Sequence, residues 1–344
     1  MSEQSSAAAR RVAVTGATGQ VGNVLVRALN QRGVDPRAVV RKTSDVGALD
    51  GARYERAEGD VSSLDSLVEA FRGCDTVFHS AALVTISDRH ETALRKTNYE
   101  GTRNVLEACE RAGVRRLVYV SSVHALTEPS EGVLDEAAGF DEHRAYGAYG
   151  RSKAAASALV QKHAREGRVD AVLVLPTGVI GPHDYRLSPQ AKMVVMLGQG
   201  KMPVTMEGGF HWVDVRDVAE GAILAGERGS TGEAYIVDGE RVTTRQIGDF
   251  VANCAGVRPP FAAVPLKLAA PFARLAPIYE RLTGKDAIFS PSSVHTLSAP
   301  YRVSSDKARR ELGFAPRPVR VAFEDAWKWL RDAPTSPLRR ARVG

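Results

Sequence analysis

From residue 11 onward, short β-branched and aliphatic runs alternate with amphipathic stretches of helical length, the pattern of a parallel sheet with crossover helices. Strands are predicted at 12–15, 37–40, 54–57, 76–79, 116–120 and 171–175, and helices at 20–31, 64–71, 92–112 and 149–165. Past Pro176 the pattern breaks up: Gly178, Gly181, Pro182, Pro189, Gly198 and Gly200 punctuate short elements and open a second, irregular lobe. A helix near 217–227 and a strand at 234–237 then return the chain to the sheet, so the lobe is interleaved with the first unit. The expected fold is α/β: a doubly wound parallel sheet over 11–180 with returning segments near 212–240, and a smaller substrate lobe drawn mainly from 181–332. Within the lobe, 265–282 is apolar but carries Pro271 and Pro277, which predicts a kinked helix or helix pair acting as lobe core or substrate lid.

Composition narrows the class. The chain has 344 residues, 44% hydrophobic and 25% charged, enough for one large α/β domain with an added lobe. Lys and Arg exceed Asp and Glu by 46 to 40, but Arg10, Arg11, Arg339, Arg340 and Arg342 carry much of the excess, so no nucleic-acid surface is indicated. Cys74, Cys109 and Cys254 lie far apart with no Cys-x-x-Cys, which fits a reduced compartment. Residues 1–10 have no apolar core of signal-peptide length, and no stretch reaches the roughly 18 apolar residues of a membrane span, so a cytoplasmic protein is expected. Residues 1–10 and 333–344, small, polar or basic, read as disordered tails. No His, Asp or Glu spacing suggests a metal site; His143, His183 and His211 are isolated.

The first strand runs into Thr15-Gly16-Ala17-Thr18-Gly19-Gln20-Val21-Gly22, which opens the first helix. This is the setting a glycine-rich dinucleotide loop requires, and it makes the sheet Rossmann-type. Gly16 permits the turn, Gly19 lets the backbone approach a pyrophosphate, and Gly22 lets helix and strand pack closely; N–H groups from Thr18 to Val21 face the anion. The second strand ends in Arg41-Lys42, where an acidic residue would select a ribose 2′-hydroxyl and a cation a 2′-phosphate. That favours NADP(H), with NAD(H) the alternative if the pair is only a solvated basic turn. After the third strand, Asp60-Val61 could bracket the adenine, or Asp60 could cap the following helix.

Tyr149 and Lys153 stand four apart on a predicted helix and so share a face. Tyr146 is a weaker candidate because its i+4 residue is Gly150. The fifth strand ends in Ser121-Ser122, at the carboxyl edge where doubly wound sheets bind ligands, and no Gly-x-Ser-x-Gly surrounds Ser122. Together with Asn98 in Asn98-Tyr99-Glu100-Gly101, with His79-Ser80-Ala81-Ala82, with Pro176, Gly178 and Pro182, and with Trp212-Val213-Asp214, these residues resemble the extended short-chain dehydrogenase/reductase family over roughly residues 11–332. The nearest likeness is to dihydroflavonol reductase-like ketone/aldehyde reductases and 3β-hydroxysteroid dehydrogenases.

The resemblance implies roles. Tyr149 would be the general acid for carbonyl reduction, Lys153 would stabilise its phenolate and hold the cofactor ribose, and Ser122 would position the carbonyl oxygen. Asn98 would hold a water that returns protons to Tyr149, or else start its helix. Ser80, Ala81, Ala82, Pro176 and Val179 would line the cofactor, and a homodimer would pair through helices 92–112 and 149–165.

Sugar-nucleotide epimerases and dehydratases share these features, so the lobe decides the branch. Arginines that those enzymes normally carry are replaced here by Leu175 and Gly209, while Lys192, Lys201 and Arg186 could still hold a diphosphate. Leu187, Met193, Val194, Val195, Met196, Met202, Met206, Phe210 and Trp212 supply apolar walls, and Thr85, Val123, His124, Met193, Met196 and Phe210 are the candidate substrate contacts. The expectation is NADPH-dependent reduction of a ketone or aldehyde on a small hydrophobic, cyclic or aromatic substrate. The alternative is an epimerase or dehydratase with tightly held NAD(P).

Overall fold

The structure is a computed structural model, and it describes residues 11–85, 88–273, 276, 283 and 290–338. The first half of the described chain runs β1 (Val12–Thr15), α1 (Gln20–Gln31), β2 (Arg37–Val40), β3 (Glu55–Glu58), α2 (Leu64–Phe71), β4 (Thr76–His79), α3 (Glu91–Leu94), α4 (Gly101–Ala112), β5 (Arg116–Val120), β6 (Gly132–Leu134) and α5 (Gly147–Arg165). There follow β7 (Ala171–Pro176), β8 (Gly178–Ile180), α6 (Pro189–Gly198), β9 (Val204–Met206), β10 (Gly209–Asp214), α7 (Val215–Arg228), β11 (Ala234–Val237), β12 (Glu240–Thr243), α8 (Thr244–Ala255), β13 (Ala262–Val264), α9 (Leu266–Ala273) and β14 (Tyr301–Val303).

Seven strands form a parallel sheet in the order β11-β7-β5-β4-β1-β2-β3. Apart from the exposed edge strand β3, Glu-Arg-Ala-Glu, its strands are largely apolar because both faces are covered. Side chains alternate across the sheet: Ala13, Val39, Val77, Leu117 and Leu173 join one core, while Val12, Val14, Phe78, Val118 and Val174 join the other. Leu67 and Phe71 of α2 and Leu106 of α4 cover the first face; Leu25 of α1 and Ile223 of α7 cover the second. β1 pairs β2 on one side and β4 on the other, so the strand order reverses at β1, and the crevice outside its carboxyl end is where such sheets take ligands.

The lobe has its own core of Val194, Leu197, Val251, Phe323 and Trp327, contributed by α6, α8 and the helix Val319–Asp332. Its helices start on good caps. Ser188 accepts a hydrogen bond from Ala191 N with Pro189 at the first turn, and Thr243 and Gln246 make a reciprocal capping box. β10 lies parallel to β8 and antiparallel to β12, forming a small sheet between the two units.

The expected helix over 92–112 is not uniform: α3 passes into α4 through a π-helical turn, Arg95–Glu100, which contains Asn98. The expected strand at 54–57 falls one residue later, and α5 begins two residues earlier than expected. Of the apolar stretch 265–282, α9 carries Pro271 inside it, and 274–275 and 277–282 lie outside the described residues. Residues 1–10 and 339–344 also lie outside them. In place of a tail, 333–338 folds back on the preceding helix: Ser336 is buried, its Oγ donating to Leu330 O at 2.9 Å, and Leu338 packs on the lobe core.

Candidate active site

Two cavities flank the carboxyl edge of the sheet. One, of about 440 Å³, lies over the ends of β1 to β4 and is walled by Gly16, Thr18, Gly19, Arg41, Asp60 and Ala81 among others. Gly16 has φ +68°, and a Cβ there would fall 2.6 Å from Ala81 N; a Cβ on Gly22 would fall 2.2 Å from Gly16 O. Only glycine fits either place, and with no side-chain cap on Gly19 the first turn of α1 presents its N–H groups to the cavity end. A cradle stripped of Cβ atoms at a helix N-terminus fits a dinucleotide pyrophosphate.

Most of the expected cofactor residues line this cavity: Val61, Ser80 and Ala82 join those already named. Ser44, Leu83, Lys96, Thr97 and Arg186 line it too and were not among the expected cofactor contacts. Ser44, Leu83, Lys96 and Thr97 lie within three residues of positions already singled out, whereas Arg186 comes from the lobe and carries no spacing signal. Gln20, Val21, Gly22 and Lys42 are not in this wall, and Lys42 is exposed. Gln20 Nε2 donates to Gly181 O at 3.2 Å, and Val21 packs on the core with Val179. Pro176 sits opposite Val237 in the sheet and Val179 opposite Val213, and neither reaches either cavity wall. Asp60 Oδ1 accepts from Ser62 N at 2.8 Å and from Ser62 Oγ at 2.7 Å, so the carboxylate that faces the cavity also caps its own turn. These bonds, the Ser62 N–H foremost, hold its pKa below the ordinary value despite some burial.

Beneath the loop, buried His79 joins two elements: Nδ1 lies 2.7 Å from Thr15 Oγ1 and Nε2 3.1 Å from Thr102 Oγ1. Desolvation, with the Lys153 charge adding to it, lowers its pKa to about 3 and keeps the ring neutral.

The catalytic candidates meet at the start of α5. Tyr149 lines the second cavity, with the Ser122 hydroxyl beside it. Desolvation raises the Tyr149 pKa to about 12, with the Ser122 hydroxyl acting the other way, so the phenol holds its proton at neutral pH. One turn along, Lys153 is 1% exposed, its Nζ donating to Val120 O at 2.8 Å and to Tyr119 OH at 2.9 Å. Burial alone lowers its pKa to about 7. Ser122 Oγ accepts from His124 N at 3.3 Å, which fixes the hydroxyl at the strand end.

Asn98 sits mid-helix in the π turn, which removes the helix-initiation reading. Its amide is already committed: Oδ1 accepts from Leu83 N at 2.8 Å, and Nδ2 lies 3.0 Å from both Leu83 O and Ser152 Oγ. It therefore braces the loop after β4 against α5, beside the residue it was expected to serve.

The second cavity, about 680 Å³, opens from Tyr149 into the lobe. Thr85, His124, Met193 and Phe210 line it as expected, with His124 stacked on Phe210 at 5.5 Å. Val123 does not; it is 3% exposed and packs into the sheet core beneath. Met196 does not either; α6 contributes Pro189, Gln190, Met193 and Leu197 to that wall. Met202, Met206 and Trp212 complete much of the apolar wall, while Val194 is lobe core and Leu187 and Val195 pack against that core. Among the described residues this wall carries no Lys, Arg, Asp or Glu. Lys192 and Lys201 are exposed and outside it, and Arg186 belongs to the other cavity. The described residues contain no cluster of three metal-ligating side chains and no helix long and apolar enough to cross a membrane.

Comparison with known proteins agrees with this geometry. A model of the NAD dependent epimerase/dehydratase family matches residues 12–238. The chain is similar to sterol demethylase protein B of Methylococcus capsulatus, with 36% identity over 93% of this chain and 98% of the relative. It is also similar to a putative dihydroflavonol 4-reductase of Synechocystis, with 32% identity over 93% of this chain and 94% of the relative. Among solved structures it resembles that of gox2253, with a TM-score of 0.82 and 36% identity, covering 95% of this chain and 99% of the other.

Proposed function

As a member of the NAD-dependent epimerase/dehydratase family the chain is an NAD(P)-dependent oxidoreductase, and we propose that it reduces a ketone or aldehyde on a hydrophobic, cyclic substrate with NADPH. The observation that carries this reading is the wall of the second cavity: Tyr149 faces an apolar chamber of about 680 Å³ whose described residues include no cation. A sugar diphosphate would have to leave water with no charged partner there, a loss no Met or Trp repays. A flat apolar body instead gains by burial against Met193, Met202, Met206 and Trp212. Relatives named for sterol and dihydroflavonol chemistry support a substrate of that kind.

The bound cofactor would supply the hydride, and the chain's own groups would manage the oxygen. Ser122 would donate its hydroxyl hydrogen to the carbonyl oxygen and fix it beside Tyr149. Tyr149, protonated at neutral pH, would then deliver the phenolic proton to that oxygen as negative charge develops on it. Lys153, tethered by Tyr119 and Val120, would place its ammonium one helical turn away to stabilise the phenolate that remains. Cofactor preference would be set by Arg41, which lines the first cavity at the end of β2 and there meets a 2′-phosphate.

The test is NADPH oxidation by the purified protein against a panel of steroidal, aromatic and aliphatic ketones and aldehydes, with Tyr149→Phe as control. Consumption that tracks carbonyl turnover and vanishes in the variant is the expected result. Silence across the panel, with dinucleotide released only on denaturation, would instead support the internal redox cycle of an epimerase or dehydratase.

A further inference from the structure

Arg186 stands on the loop between β8 and α6, in the lobe, yet its side chain lies in the wall of the dinucleotide cavity. The loop is tied to the glycine loop and the start of α1 at three points. Gln20 Nε2 donates to Gly181 O at 3.2 Å, Asn23 Nδ2 donates to His183 O at 3.1 Å, and Arg186 Nη2 donates to Thr18 Oγ1 at 3.1 Å. The guanidinium is thus held over the phosphate loop itself, and its partner there is a neutral hydroxyl.

The backbone around it is constrained to keep it so. His183 and Leu187 have φ of +66° and +50°, a region side-chain-bearing residues rarely enter and hold only where neighbours over-determine the turn. Those neighbours are present. Asp184, 4% exposed, accepts from Arg186 N at 3.2 Å on Oδ1 and from Ser188 N at 3.1 Å on Oδ2, while the His183 ring packs against Tyr185 and Trp329. A strained, doubly braced turn that aims one cation at an anion cradle is a binding device more than a connector.

We propose that Arg186 is a cofactor-binding residue contributed by the lobe, whose guanidinium pairs with the diphosphate of the dinucleotide at the Gly16–Gly19 loop; this rests on the dinucleotide reading of that cavity, not on the identity of the carbonyl substrate. A helix N-terminus offers only about half a positive charge, whereas a diphosphate brings two negative ones, so a planar, bidentate cation supplies what the glycine loop lacks. The division of labour with Arg41 follows from position. Arg41, at the end of β2, lies where the adenosine ribose would lie; Arg186, at Thr18, lies at the phosphates. Because Arg186 belongs to the lobe, cofactor binding would also fasten the lobe wall to the sheet.

Equilibrium binding of NADPH, NADH and adenosine 2′-monophosphate, which carries neither phosphate of the diphosphate, tests this on the full chain without any turnover. Arg186→Gln, which can keep the hydrogen bond to Thr18 but not the charge, should weaken NADPH and NADH by a similar factor, roughly tenfold to a hundredfold, and leave the 2′-monophosphate nearly unchanged. Arg186→Lys should recover part of the loss. Arg41→Ala should do the reverse, weakening NADPH and the 2′-monophosphate and sparing NADH. Unchanged dinucleotide affinity in an Arg186→Gln protein that melts like the parent would overturn the clamp, as would a loss confined to NADPH. Arg186-dependent binding with no carbonyl turnover would leave the clamp standing and defeat only the reductase reading.

Discussion

The two cavities are built in opposite ways. The cofactor cavity is walled by short consecutive runs at strand ends, Gly16 to Gly19, Val39 to Arg41, Gly59 to Ser62 and Ser80 to Leu83, and much of what they present is backbone. The substrate cavity takes one or a few side chains each from α5, α6, β10, α8, α9 and the helix Pro291–Ser298, and what they present is apolar surface. A surface made of backbone must be encoded by residues that permit a particular conformation, so a change at Gly16 or Gly22 meets other backbone within 3 Å. A surface made of side chains needs only the right volume and polarity, and many residues can supply it. The first should be intolerant and shared across the family; the second should be where substrate choice varies.

The largest effect should come where the substrate cavity touches the chemistry. Tyr149→Phe removes the proton but neither the ring nor its packing, so kcat should fall by about 10²–10⁴ while NADPH affinity stays near that of the parent. Loss of cofactor binding in that variant would mean the two cavities are not separable at α5. Lys153 allows a second test, through stability. Its pKa is about 7 in the folded protein against an ordinary value of 10.5, so between these values the unfolded chain binds more protons and stability rises with pH. Below about pH 7 the full cost of burying the charge is present. Lys153→Met has no such cost, so its melting temperature relative to the parent should be most favourable near pH 6 and decline steadily toward pH 10. A difference that does not change with pH would show that Lys153 is not desolvated as described.

The same contrast explains what could be read in advance. The alternating strands, the glycine loop, Arg41, Ser122, Tyr149 and Lys153 are local patterns: the glycine loop and Arg41 line the first cavity and Tyr149 the second, while Ser122 and Lys153 are buried and in neither wall, Lys153 held by Val120. Arg186 reaches the same cavity from the lobe by tertiary packing, which no spacing along the chain records. Asn98 was legible as a marked position but not in its role, because its partners, Leu83 and Ser152, depend on how the π turn rotates its amide. The cofactor side is sharpened by Arg41→Asp, which should weaken NADPH roughly tenfold or more relative to NADH, as a charge-assisted phosphate contact becomes a repulsion. Equal losses for both cofactors would place the 2′-phosphate elsewhere.

The smallest expected effect tests the substrate cavity's own logic. Met193 and Met196 are the same residue type on the same helix, and by sequence they are equivalent wall candidates. On α6 Met193 lines the chamber with Leu197, whereas Met196 is half-buried and outside that wall. Truncating Met193 to Ala removes apolar contact worth about 1–2 kcal/mol from a bound hydrophobic substrate, so KM should rise about fivefold to thirtyfold with kcat little changed. Met196→Ala should leave both constants alone and register, if at all, in melting temperature. Equal KM increases from the two substitutions would mean that the chamber's wall is set by general lobe packing and not by which residues face it. In that case tolerance to substitution would extend to the lobe as a whole, and the contrast with the glycine cradle would be sharper still.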